Sequence, residues 1–359
     1  MWSNALAPKR SRVSLSRDST SYPSQTNLII EVKRNKLANN NTNLHQAKKA
    51  KNDEFYTRYE DIEKEISHYW PNLRGKWVYS PCDDYRWSEF KNYFVQNFSA
   101  IGLSHYTCTN YDLGDGAFRY DYDGETETIT PLEGNGDFRR EECTKIKDEC
   151  DIVVTNPPFS MFRQFVEQIM TMGKKFLIIG NMNAVINRDI FPYLKSNKMW
   201  LGYNQPHYFE VPLDKVENEK IQYEEGGKIY QAFGNICWFT NLEHSKRKEL
   251  IGLVKKYNPT DYPKYDNYDA IDVSKVTDIP KDYDGVMGVP ISFFGKHNPK
   301  QFEILGVTNN TKSNAYALKE NTIGYPTWAS VNSKNVYVRL LIRKVKELPT
   351  EEEVKIIAE

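Results

Sequence analysis

The chain has 359 residues, and its 48 Lys+Arg balance 48 Asp+Glu to a formal net charge of zero. That length holds one large α/β domain with an elaboration, or two modest domains, and the balance excludes a globally cationic nucleic-acid binder; any such grip must be a local basic surface. A hydrophobic content of 39% supports a core, no run is long and apolar enough to span a bilayer, and the five cysteines (Cys82, Cys108, Cys143, Cys150, Cys237) lack C-x-x-C spacing, so a soluble cytoplasmic protein with reduced thiols and no metal site is expected.

Residues 1–50 are rich in Ser, Asn, Lys and Arg, with Asp18 and Glu31 as the only acids, which predicts a basic, disordered extension. Order is expected from Asp53-Glu54-Phe55-Tyr56-Thr57 into a helix through Ile62, Ile66 and Tyr69. A strand over 76–80 ends at Pro81-Cys82-Asp83-Asp84, and a helix carrying Phe90, Tyr93, Phe94 and Phe98 follows. Further elements are a strand over 103–109, a hairpin over 118–130, a strand over 151–155, a helix over 162–172, a strand over 176–179 and a helix over 184–197. This alternation predicts an α/β fold, a doubly wound, mostly parallel sheet, with residues 51–200 as catalytic and cofactor-binding core. Beyond residue 200 the rhythm changes to irregular Tyr-, Asp- and Pro-rich stretches with short strands over 236–240 and 289–294 and a late strand over 336–342. We read 201–295 as an irregular α+β target-recognition region, and 296–359 as strands returning to the core plus a tail.

The most informative segment is Asn156-Pro157-Pro158-Phe159, directly after the apolar strand at 151–155. An exocyclic amine on adenine is a poor nucleophile because its lone pair is delocalised into the ring. Two acceptors aimed at its N–H bonds correct this: the Asn156 side-chain carbonyl and the main-chain carbonyl of Pro157. Phe159 offers a flat face for the base, and the sulfonium methyl of S-adenosylmethionine is the matching electrophile, so catalysis rests on orientation and desolvation without a metal. A turn after a strand is the bland reading, yet the tetrad sits where open α/β sheets place their ligands. Enzymes that methylate ribosomal RNA or protein glutamine share the tetrad. They are expected to carry a glycine-rich first turn and no long recognition region, the opposite of this chain.

For the cofactor, such a sheet calls for carboxylates after its first strands. Asp83 and Asp84, then Asp112, then Asp137 in Gly136-Asp137-Phe138 appear in that order. The usual glycine-rich turn is replaced by Cys82-Asp83-Asp84, and each single Asp also fits a turn former or helix cap.

Together with these segments, Tyr262-Pro263-Lys264-Tyr265-Asp266-Asn267-Tyr268-Asp269-Ala270 and Gly285-Val286-Met287-Gly288-Val289-Pro290 resemble the EcoRI-type adenine-N6 DNA methyltransferases, from about residue 47 to 343. The resemblance implies a Rossmann-like, S-adenosylmethionine-dependent monomer that methylates an adenine flipped out of a short palindrome in double-stranded DNA, protecting it from a partner restriction endonuclease. It also implies that Phe55, Tyr56 and Thr57 line the methionine pocket, while the positions of Cys82, Asp83, Asp112, Asp137 and Phe138 after the first strands place them on the expected cofactor side. On that reading Lys246, Arg247 and Lys248 are candidate phosphate contacts, with a solvated helix face as the plain alternative.

Overall fold

The computed structural model describes residues 56–212, 216, 220–308 and 328–346. The expected extension over 1–50, Phe55, and the tail beyond 346 lie outside the described residues.

Four strands form the parallel centre of an eight-stranded sheet: β2 (Trp77–Ser80), β3 (His105–Thr109), β6 (Ile152–Thr155) and β7 (Lys175–Asn181). Their spatial order is β3-β2-β6-β7, with every neighbouring pair parallel. The chain therefore leaves β2 to one side for β3 and returns on the other side as β6. That reversal opens a crevice at the carboxyl ends of β2 and β6, where such sheets bind ligands.

The expected predominance of parallel pairing is corrected at both flanks. On one side β4 (Phe118–Tyr122) and β5 (Glu127–Pro131) add antiparallel as the predicted hairpin; Asp123 turns it by accepting from the Glu125 and Thr126 amides. On the other side β12 (Ile236–Thr240) pairs antiparallel with β7, followed by β8 (Trp200–Leu201). The sheet is mixed, and the fold is mixed α/β. Strand 236–240, expected within the recognition region, is thus part of the large sheet.

Alternate residues of the central strands enter two apolar clusters, one on each face. Tyr79, Val153, Phe176, Ile178 and Phe239 pack with Ile146 of helix α3 (Glu141–Glu149) and with Phe162, Phe165, Val166 and Ile169 of α4 (Phe162–Thr171). Val78, Ile152, Val154, Leu177 and Trp238 pack with Ile62 and Ile66 of α1 (Tyr59–Ile66) and with Phe90, Tyr93 and Phe94 of α2 (Glu89–Gln96). A second sheet, β13 (Ile271–Asp272), β14 (Met287–Pro290), β16 (Arg339–Lys344) and β15 (Phe302–Val307), donates Met287, Val289, Ile304 and Ile342 to the first cluster. A third places β1 (Tyr56–Thr57) beside β9 (Tyr208–Val211), which pairs in turn with β11 (Lys228–Ala232) and it with β10 (Gln222–Glu225).

Two sequence expectations change form. The helix over 184–197 is a 3-10 turn, Met182–Ile186, and a short helix, Phe191–Lys195, because Pro192 is tolerated in a first helical turn but not in an interior. The strand over 289–294 stops at Pro290 and continues as a 3-10 helix, Ile291–Lys296.

Candidate active site

All four residues of β6 are buried, and the strand delivers Asn156 half-buried into the crevice. The Asn156 Nδ2 donates to Thr57 Oγ1 at 3.3 Å, across 99 residues of sequence. Thr57 is only 5% exposed, and β1 is held by pairing Thr57 with Phe209. With its nitrogen turned to Thr57, the amide presents its carbonyl end as the acceptor. Pro157 is buried, Pro158 half-buried, and the half-buried Phe159 packs against the cluster of α1 and α2.

Beneath this loop lies Asp83, 9% exposed, where three strand ends meet. Its amide donates to Thr109 O at 3.0 Å at the end of β3. Its carboxylate accepts from Thr155 Oγ1 at 2.6 Å and from Ser88 Oγ at 2.9 Å. Ser88 is in turn the N-cap of α2, accepting from the Phe90 and Lys91 amides. Burial pushes the Asp83 carboxyl up to about 6, against the lowering effect of the two hydroxyls. Asp83 thus braces the residue that immediately precedes Asn156.

The other cofactor-side candidates sit in self-contained turns. Asp84 takes Arg86 in a two-pronged pair at 2.8 and 2.5 Å. The Asp112 Oδ1 accepts from the Gly114 and Gly116 amides at 2.7 and 2.9 Å, which holds its pKa below the ordinary value. Asp137 pairs with Arg139 at 2.9 and 2.5 Å; although burial opposes it, those bonds leave its pKa lowered. The fold brings the last two turns together: the Asp112 amide donates to Asn135 O at 2.9 Å. Gly136, at φ +68°, runs so close to the residue that follows β3 that a Cβ would fall 1.9 Å from Asn110 O, so only glycine fits there.

Phe138, expected at the cofactor, is 4% exposed and stacks edge-on against Phe165 in the core. The thiol of the half-buried Cys82 is pushed well above its ordinary value by burial and then by Asp83, which leaves it a poor nucleophile. Residues that sequence reasoning missed include Thr155, Ser88 and Lys147. Lys147 is fully buried, donating to Phe138 O at 2.9 Å and Gln168 Oε1 at 2.6 Å, and burial lowers it to about 8. Its signal was its helical register with Cys143, Ile146 and Cys150 on the apolar face of α3.

The basic segment departs from expectation in part. Lys246 Nζ donates to Tyr203 O at 2.6 Å. Arg247 lies 3.7 Å over the Trp200 ring and donates to Asn197 Oδ1 at 3.0 Å. Only Lys248 of the three is exposed. Arg247 is therefore a packing residue, because a guanidinium stacked on an indole is engaged by its plane.

The donor set suits S-adenosylmethionine in kind. Four carboxylates lie at the ends of β2 and β3 and in the loop before α3, two of them already paired with arginines, and acceptors of this kind could take hydrogen bonds from ribose hydroxyls. Among the described residues no cluster of His, Cys, Asp and Glu could hold a metal ion, and no helix is long and apolar enough to cross a membrane.

Comparison with known proteins gives a family match and close relatives. The family model described as "Adenine-specific methyltransferase EcoRI" matches residues 43–129 and 114–345. The Type II methyltransferase M.EcoRI of Escherichia coli is 38% identical over 333 residues, 86% of this chain and 98% of that protein. The Type II methyltransferases M.MgeORF184P of Mycoplasma genitalium and M.MpnI of Mycoplasma pneumoniae are 37% and 36% identical, each over 84% of this chain and 98% of its own length. No solved structure matches the chain.

Proposed function

This chain belongs to the EcoRI family of adenine-specific methyltransferases, and on that premise we propose that it methylates the N6 amino group of an adenine flipped out of a short recognition sequence in double-stranded DNA. The observation that carries the reading is Asn156, delivered by β6 to the crevice of the sheet and turned by Thr57. S-adenosylmethionine, when bound, supplies the electrophilic methyl group. The four-strand parallel centre supports a Rossmann-like assignment, and its crevice is the ligand position expected of that fold.

Within this reading the residues divide the work. Asn156 Oδ1 and the Pro157 carbonyl accept hydrogen bonds from the two amine N–H groups, which localises the nitrogen lone pair for attack, and Phe159 stacks on the base. Flipping costs a few kcal/mol of unstacking, recovered from that stacking and from hydrogen bonds to the base edge. Asp83 positions the loop through Thr155. Asp112 and Asp137 hold the nucleoside side, with Tyr56 and Thr57 toward the methionine end. Modification of every copy of such a sequence protects the DNA from a restriction enzyme that cuts there.

The deciding experiment is long-read sequencing of modified bases in a methylation-free host expressing the chain. A single short motif with adenine modified at one position is expected. An unmodified genome, with soluble protein that binds S-adenosylmethionine, overturns DNA as the acceptor.

A further inference from the structure

A cavity of about 820 Å³ is lined by Arg58, Lys64, Lys246, Lys275 and Lys296, with Asp61 as the only acid among its described lining residues. Five cations against one acid is a marked local excess in a chain whose net charge is zero. They converge from remote segments: α1 and the residue before it, the stretch after β12, the loop after β13, and the 3-10 turn after β14. Lys64, Lys275 and Lys296 are exposed and join no ion pair among the described residues. Lysines that repel one another are not gathered by packing, so their convergence points to an anionic occupant.

The cavity wall is also prebuilt. Glu65, fully buried on α1, accepts from the Tyr203 and Asn204 amides at 2.7 and 2.6 Å and from Tyr69 Oη at 2.8 Å. Gly202 passes so close that a Cβ would fall 2.4 Å from Glu65 Oε1 and 2.5 Å from Trp238 Cβ. The polar side chains of Asn204, Ser274 and Thr277 add hydrogen-bonding groups to the lining. Arg58 connects this cavity to the catalytic loop, since it directly follows Thr57, the partner of Asn156. Its guanidinium lies 5.3 Å over Tyr230 and 5.8 Å over Tyr223, and it pairs with Glu60 at 2.9 Å.

We propose that this cleft, through Lys64, Lys275 and Lys296, grips the sugar–phosphate backbone of the substrate duplex beside the flipped base. The inference rests on the reading of the chain as a DNA methyltransferase. It moves the phosphate grip from Arg247 to lysines that share no sequence segment. Contacts of this kind fix position and carry no base information.

The test uses the full chain, sheared plasmid duplex DNA, and the variant Lys64→Gln/Lys275→Gln/Lys296→Gln. Each phosphate contact contributes ~0.9 to the slope of log K against log salt, so the triple variant is expected to lose ~2–3 from that slope. Affinity near 0.1 M salt should fall 10- to 100-fold, while S-adenosylmethionine binding and the melting temperature stay at the wild-type values. A second triple variant, at the exposed Lys175, Lys198 and Lys334, should keep most of the wild-type slope. An unchanged slope in the first variant, or an equal loss in both, overturns the proposal. Failure of the wild-type chain to modify DNA at all is a separate result, which overturns the functional reading instead.

Discussion

Asn156 and Asp83 meet their partners Thr57 and Thr155 across 99 and 72 residues, whereas Asp84, Asp112 and Asp137 each close on a group two residues away. Ties of the second kind need only a turn, and form wherever the chain bends. Ties of the first kind exist only when β1, β2 and β6 have assembled. The loop that carries Asn156 is thus a product of the whole sheet, and the aspartate turns are locally prepared pieces, two of which the sheet brings together.

The sharpest way to break that contrast is at its centre. Asn156→Ala should lower kcat by ~10²–10³-fold, the scale of losing one preorganised group at the reacting atom, with DNA affinity in a direct binding assay within about threefold. A loss of DNA affinity with normal kcat would contradict the orienting role. Asp83→Ala comes next, because it leaves the Thr155 and Ser88 hydroxyls without their acceptor. It should cost about 2–3 kcal/mol in denaturant unfolding and reduce kcat as well, through the displaced loop.

Asp83 also predicts a pH effect with a definite sign. Its folded value of about 6 lies above the ordinary 3.8, so the folded state binds the proton more tightly between those values. Its contribution is most favourable below pH ~4 and declines as pH rises through about 6, by at most ~3 kcal/mol. The stability of the wild type relative to Asp83→Asn should therefore fall from pH 4 to pH 7, measured from denaturant midpoints. A difference that rises over that interval would show that the hydroxyl bonds outweigh burial.

Smaller effects test the edges of the comparison. Thr57→Val removes a single hydrogen bond to Asn156 and should lower kcat about 3- to 10-fold, near 1 kcal/mol. Arg247→Ala should destabilise the fold by about 1–2 kcal/mol through the lost stacking on Trp200 while leaving the salt slope of DNA binding unchanged. A reduced slope would return Arg247 to the DNA contacts proposed from its sequence.

Much of this was legible beforehand where short-range physics decides. The strand over 236–240 has the bounds expected, and the hairpin and the helix after the tetrad lie within a few residues of expectation. The helix over 184–197 was misjudged because its apolar spacing masked the break that Asn187 and Pro192 impose. Phe138 read as a cofactor residue because its neighbours Gly136 and Asp137 are a turn, yet its ring points into the core against Phe165. Lys246 and Arg247 looked like a solvated or phosphate-binding run, and nothing local foretells that Trp200 and Tyr203 lie opposite them.

The residues alone specified the candidate reacting group, because an asparagine amide followed by prolines and an aromatic at a strand end is a chemical pattern that can be read without coordinates. They also determined the alternation that builds the parallel centre, since apolar periodicity acts within each element. The tertiary structure alone decided which lysines stand together, which carboxylate braces the loop that carries Asn156 and which aspartate turns meet. Those are pairings between distant segments, and their geometry is set by how the sheet packs rather than by any neighbour in the chain.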